Sequence, residues 1–272
     1  MQTTKEKLRL PTPRIEVTDG ANIPDPSDKR LVTAWSLAIT LALLALFSII
    51  VLRPAPYWDI LNFVKDGVIV TFQLTFLGIG IAIPIGLITG LGRLSKNRVI
   101  NMIASFYVEV VRGIPLLVQL CFIYYGVGRF FIIPDMLAAA FAMGFCYGAY
   151  MGEIFRAGID AIDKGQIEAS RSLGFNRFQT MRLIVLPLAW RTILPPVGNE
   201  SIALLKDTSL VSILAMTSIL QRGKEYVSSN MSPFEAYGLV ALLYLIITLV
   251  LSKGVSIMEA KLNYYDNDNE YK

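Results

Sequence analysis

Three stretches of this chain carry no charged residue: "LVTAWSLAITLALLALFSIIVL" over 31–52, "GVIVTFQLTFLGIGIAIPIGLITGLG" over 67–92 and "AYGLVALLYLIITLVLS" over 236–252. No other feature narrows the possible folds as much. About 20 apolar residues carry a helix across a bilayer, and about 17 is the lower limit. Uncharged runs of 22 and 26 residues exceed what a helix in a soluble core needs. The chain, 54% hydrophobic with a mean hydropathy of +0.54, therefore reads as an all-α integral membrane protein lying in the lipid bilayer. The first run is too long for the roughly 7–15 apolar residues of a signal peptide. Polar residues 1–30 precede it and "RPAPYW" follows without a small-residue cleavage site, so 31–52 reads as a retained transmembrane helix.

Segments 99–127, 136–155 and 192–219 are apolar with some polar residues, which makes six expected spans. With the N-terminus inside, the inner gaps (1–30, 93–98, 156–191, 253–272) hold 18 Lys and Arg. The outer gaps (53–66, 128–135, 220–235) hold five. Cytoplasmic loops are enriched in Lys and Arg, so both termini and the long loop 156–191 are expected in the cytoplasm. This asymmetry accounts for the net charge of +4 without a nucleic-acid partner. Residues 1–30, with Pro11, Pro13, Pro24 and Pro26, read as a flexible cytoplasmic tail, and 263–272 ("NYYDNDNEYK") as a disordered one. Tyr57 and Trp58 fall in the outer gap 53–66, where aromatic rings favour the membrane interface.

The composition excludes much chemistry. There is no histidine, which removes histidine-ligated metals, histidine bases and Ser-His or Cys-His nucleophiles. Cys121 and Cys146 sit in apolar surroundings and read as core thiols. No G-x-x-x-x-G-K-[ST] loop is present, so the chain offers no ATP site of its own. No metal site and no catalytic residue is expected, and uphill transport would draw on a partner or an ion gradient.

One polar, basic segment, "GQIEASRSLGFNRFQTMRLIVLP" (165–187), lies between two apolar stretches in the long cytoplasmic loop. "QIEASRSL" and "RFQTMRLIVL" both suit helices, and Gly174 between them suits the left-handed position that ends a helix. Two short helices along the membrane surface are expected, the second burying Phe178, Met181, Leu183 and Ile184.

Glu168-Ala169-Ser170, Gly174, Ile184 and Leu186-Pro187 resemble, in identity and spacing, the EAA---G---------I-LP motif of ABC-importer permease subunits. Ser170 departs from the usual alanine, one small residue for another. The resemblance covers about 67–262. "YVEVVRGIPLLVQLCFIYYG" (107–126), "GAYMGEIFRAGIDAIDKGQIEASRSLG" (148–174) and "LPPVGNESIALLKDTSLVSILA" (194–215) are similar to the histidine/glutamine branch, the polar-amino-acid permeases. It implies a type I ABC importer permease core of five helices, to which 31–52 adds one N-terminal helix. It implies that 165–187 is a coupling loop docking on an ATPase subunit, with ATP and magnesium held by that partner and no cofactor in this chain. It further implies a dimer of ATPase subunits, a second permease subunit of the same or a related chain, an extracytoplasmic amino-acid-binding protein and an amino-acid substrate. The expected location is the bacterial cytoplasmic (inner) membrane. A gradient-driven secondary transporter or channel is the rival, but the inverted repeats it predicts are not seen between 31–127 and 136–252.

Charged groups in a bilayer face a cavity or a partner. Glu109 and Arg112, three apart, suit an internal salt bridge, or else a gate, and Pro115 after them suits a kink. Lys206 and Asp207 either neutralise one another with their neighbours or line a substrate path. Pro195, Pro196 and Gly198, near the start of the span 192–219, suggest a broken helix entry, and Asn199 and Glu200 read as interfacial. Gly78, Ala82, Gly86 and Gly90 recur every four residues, as do Gly144, Gly148 and Gly152. Such stripes serve close helix packing or, for Gly148 and Gly152, line a path. Met143, Phe145 and Tyr147 read as packing. Glu153, beside the second stripe, suits either a substrate amino group or an ion pair with Arg156.

Overall fold

The computed structural model describes residues 33–130 and 133–267. Both expected tails fall largely outside these residues, except that the last helix continues through Asn267 where a disordered tail was expected.

Helix α1 (Ala34–Leu52) starts where Thr33 and Ser36 cap one another's backbone N–H groups. Helix α2 (Pro54–Arg93) is 40 residues long. At about 1.5 Å per residue that is roughly 60 Å, twice the hydrocarbon thickness. Beyond a kink at Ala55, the expected polar gap 53–66 is thus helix, continuous with the span. Its extra turns bury Ile60 and Val64 against Ile219, Tyr226, Leu239 and Val240, which gives the extension its stability.

The expected third span is bent. Helix α3 (Arg98–Gly113), capped by Asn97, meets α4 (Leu116–Cys121) at 104°, with Pro115 in extended conformation between them. A π-helical turn, Phe122–Val127, follows. Helix α5 (Asp135–Asp160) spans alone. Short helices α6 (Lys164–Ser172) and α7 (Arg177–Thr180) and a π-helical turn, Met181–Val185, lead into α8 (Leu186–Asp207). Helix α8 runs through Pro195 and Pro196 without the break expected there. Prolines inside spans are tolerated where neighbours hold the helix, and here Ile193 is buried and Gly198 packs under Val255 of the last helix. A 3-10 segment, Thr208–Leu214, leads to α9 (Ile219–Asn230), with a 44° bend, and then to α10 (Pro233–Asn267). Four helices are long and apolar enough to cross a membrane alone, and six spans result if each bent pair counts as one. The all-α fold expected from the sequence is the observed one.

The core is the seam between α2 and α5. A Cβ on Gly86 would lie 2.3 Å from the Cβ of Met151, one on Gly144 2.6 Å from Ile81, and one on Gly148 2.6 Å from Ile85. The two glycine stripes therefore face each other and let the backbones approach. Around the seam, Leu74, Ala82, Met143, Met151, Phe155, Ile193 and Leu204 are buried.

Candidate functional site

Between α2 and α10 the subunit holds three features that bear on function: a surface hairpin, an arginine cluster and a small polar cavity. The hairpin is α6 and α7. Asp163 caps α6 by accepting from the Gly165 N–H. Its end is a Schellman turn: the Phe175 N–H donates to the Ser170 carbonyl at 3.1 Å and the Gly174 N–H to the Arg171 carbonyl at 2.9 Å. Gly174 takes φ +85°, where a side chain is strained. Asn176 and Gln179 then cap α7 reciprocally. Ser170 and Thr180, both buried, hydrogen-bond through their hydroxyls at 3.0 Å and tie the two arms together. Ser170, the departure from the motif, therefore has a partner of its own.

The expected burial of the second arm holds only in part. Met181 and Ile184 are half-buried, but Phe178 is 70% exposed and Leu183 55%, and Leu173 at the tip is 77% exposed. Glu168 and Ala169 are exposed, Leu186 is half-buried and Pro187 exposed. Glu168 neither caps α6, which Asp163 does, nor takes part in an ion pair among the described residues.

The arginine cluster centres on Glu153. Its carboxylate accepts from Arg93 at the end of α2, from Arg156 at 3.0 Å, and lies 3.4 Å from Arg112 of α3. Arg112 is thus drawn to Glu153 and not to Glu109. The pairing expected from three-residue spacing gives way to a carboxylate on the neighbouring helix, and Glu109 is left exposed. Glu153, whose side chain is 23% exposed, is an ion-pair hub shared by three guanidinium groups. Gly148 and Gly152 likewise do not line a path: they pack against Ile85 and Thr89.

The cavity, about 200 Å³, is lined by Leu116, Tyr147, Tyr150, Glu200 and Asp207. Helix α5 supplies the two tyrosines, three residues apart, and α8 supplies the two carboxylates, seven apart, so each pair projects from one face. The Tyr147 hydroxyl donates to Asp207 Oδ2 at 2.7 Å. The Arg112 guanidinium covers the Tyr150 ring at 5.3 Å. The cavity thus brings together two carboxylates and two phenols, with a guanidinium stacked on one of the phenol rings, groups with the chemistry to hold a small zwitterion. An ammonium group makes its strongest hydrogen bonds to carboxylates, and a carboxylate to arginine.

Of the residues singled out in the sequence, Asp207 reaches this cavity. Lys206 turns away into a separate groove beside Asn199, Thr248 and Ser252. Glu200, Tyr147 and Tyr150 escaped notice as site residues. The signal was present as matched spacings on two helices, but it acquires meaning only once α5 and α8 are known to face each other.

Such a fold of long apolar and bent helices, with a surface hairpin and a polar cavity between the helices, fits a solute permease. The chain belongs to the family described as binding-protein-dependent transport system inner membrane component, whose model matches residues 82–263. It is 37% identical over 198 residues to the glutamine transport system permease protein GlnP of Escherichia coli (strain K12), covering 72% of this chain and 90% of that one. It is 38% identical over 189 residues to the probable amino-acid permease protein YxeN of Bacillus subtilis (strain 168), covering 67% and 84%. A crystal structure of an amino acid ABC transporter with histidines superposes with a TM-score of 0.71 at 37% identity, over 76% of this chain and 99% of that chain. The MetNI methionine ABC transporter shares the fold, with a TM-score of 0.65 at 19% identity. The comparisons bear out the resemblance, read from the EAA-like motif and its flanks, to permease subunits of amino-acid ABC importers.

Proposed function

We propose that the chain is the membrane-spanning, non-catalytic subunit of an ATP-driven importer of polar amino acids in the bacterial cytoplasmic membrane. Two permease subunits enclose the path, two ATPase subunits hold ATP and magnesium on the cytoplasmic face, and an extracytoplasmic binding protein delivers the substrate. The observation that carries this reading is the cavity. Glu200 and Asp207 take the substrate ammonium group, and Arg112, at the rim, takes its carboxylate. The cavity, about 200 Å³, is large enough for one amino acid.

The α6–α7 hairpin supports the energy source. Its backbone is fixed by two caps and a Schellman turn, yet Leu173, Phe178 and Leu183 stay uncovered. A rigid element with an uncovered apolar tip suits insertion into a partner's groove. Closure of the ATPases on ATP would then move the hairpin as a lever and switch the cavity between inward and outward access.

The test is uptake by proteoliposomes holding the chain with its co-purified ATPase, with the extracytoplasmic binding protein supplied on the opposite face. Labelled glutamine should enter only with ATP inside the cytoplasmic-facing compartment. Asp207→Asn or Glu200→Gln should raise KM about tenfold or more, since a hydrogen bond to a charged group is worth about 1.5–3 kcal/mol. Uptake driven by an ion gradient without ATP would establish the secondary-transporter reading instead.

A further inference from the structure

The bend between α3 and α4 frees backbone carbonyls at membrane depth. Helix α3 ends at Gly113, and Pro115 opens the 104° turn into α4. In an unbroken helix the Val111 carbonyl would accept from the N–H four residues on, at position 115. Proline has no N–H to give. The Ile114 carbonyl loses its donor as well, because the Val118 N–H turns to the Pro115 carbonyl at 3.0 Å. Within a bilayer no water satisfies such groups, and leaving them bare is costly.

One buried side chain serves both carbonyls. Gln119 of α4 donates through Nε2 to the Val111 carbonyl at 2.6 Å and to the Ile114 carbonyl at 2.7 Å. Only the NH2 end of an amide donates twice, so its oxygen is left to accept. That oxygen accepts from Cys146 Sγ of α5 at 3.0 Å. A single amide thus closes the bend and ties it to α5. The residues fixed in this way are those that meet the cavity. Arg112 lies between the two pinned carbonyls, with its guanidinium over the Tyr150 ring and 3.4 Å from Glu153. Leu116, the first residue of α4, lines the cavity. Cys146 immediately precedes Tyr147, whose hydroxyl reaches Asp207. Gln119 is not itself among the lining residues.

We propose that Gln119 is a positioning residue for substrate binding. It replaces the donor that Pro115 removes, fixes the bend, and so holds Arg112 against the tyrosine wall where it takes the substrate carboxylate. The proposal rests on the reading of the cavity as the amino-acid site. The Cys146 thiol orients the Gln119 amide, so that its NH2 group faces the two carbonyls.

The experiment is equilibrium binding of labelled glutamine to the purified complex of permease and ATPase in lipid nanodiscs. Arg112→Gln and Asp207→Asn first set the scale of binding in the cavity. Gln119→Met keeps the length of the side chain and removes both donors. It should weaken binding about fivefold or more, the factor that one misplaced hydrogen bond makes. In the Arg112→Gln background the same change should matter less than about twofold, because residues that act through one another are not additive. A role in stability alone would weaken both backgrounds by the same factor. That outcome, or unchanged binding by Gln119→Met while Asp207→Asn still weakens it, overturns the proposal and leaves the cavity reading intact. Where Gln119→Met lowers the amount of folded subunit, Cys146 decides. Cys146→Ser keeps a donor for Gln119 Oε1 and should bind as the unmodified complex does. Cys146→Ala frees the amide to turn and should weaken binding about twofold or more. Equal binding by these two variants overturns the positioning role. Full binding by both Arg112→Gln and Asp207→Asn would instead overturn the cavity as the amino-acid site.

Discussion

Glu153 balances three guanidinium groups, and this fixes what its removal does. Glu153→Gln leaves Arg93, Arg112 and Arg156 close together with no counter-charge. Removing one partner of a buried ion pair costs about 3–5 kcal/mol. With the carboxylate 23% exposed, about 1–3 kcal/mol is expected, read as a drop in folded subunit on denaturant titration in detergent. Arg156→Gln should be milder, because Arg93 and Arg112 keep the carboxylate neutralised. Equal losses for the two variants would contradict the hub. The Glu153–Arg156 pair was legible in the sequence because both residues lie on one helix, three apart. The larger part of the hub was not: Arg93 is 60 positions away, and no local rule places it beside α5. The same holds for Tyr147 and Asp207, which meet only through the fold.

At the scale of elements, the hairpin and the α2–α5 seam were both foreseen from glycines, for different physical reasons. At Gly174 the reason is conformational. A left-handed residue costs an ordinary side chain roughly 1–2 kcal/mol, more if β-branched. Gly174→Val should therefore insert normally but re-aim α7, with weakened ATPase binding or ATP turnover that no longer follows substrate. Normal uptake by this variant would count against the coupling role. At Gly148 the reason is space, since a Cβ there already meets Ile85 at 2.6 Å. Gly148→Leu should separate α2 from α5 and cost about 1–3 kcal/mol or more as overpacking, seen as loss of folded subunit, with no selective effect on substrate affinity. Bends were less legible. Pro115 marks a 104° turn, whereas Pro195 and Pro196 mark none. Proline removes a hydrogen bond in either place; whether the helix then breaks depends on neighbours such as Val255 that hold Gly198 in line.

The whole molecule has two distinct ends, and the packing of its first helix on its last fixes which elements share each of them. Trp35, at the start of α1, donates to the Leu249 carbonyl at 2.8 Å, and Lys253 lies over its ring at 5.1 Å. The beginning of α1 thus meets the latter half of α10, and the two helices run antiparallel. Each successive span then returns the chain to the opposite side, so that Arg93, Arg156 and the α6–α7 hairpin share the end where α1 begins. Among the described residues, that end also carries Lys96, Arg98, Lys164, Arg171, Arg177 and Arg182. Inverting the subunit would place those cations outside against the positive-inside bias. At the other end, α9 packs over the extended start of α2, with Arg222 bridging Glu225 at 2.9 Å and Asp66 at 3.7 Å. Ser228 on α9 and Asn176 on the hairpin are both exposed, so each offers a cysteine to solvent if its side of the membrane is open to the reagent. In intact cells, a membrane-impermeant maleimide should label Ser228→Cys and spare Asn176→Cys. After permeabilisation both should label, which shows that protection of the hairpin came from the membrane and not from a docked partner. Cys121 is half-buried and Cys146 buried, and the unmodified chain sets their background. Labelling of Asn176→Cys from outside, with Ser228→Cys spared, would invert the molecule and remove the hairpin from any cytoplasmic ATPase.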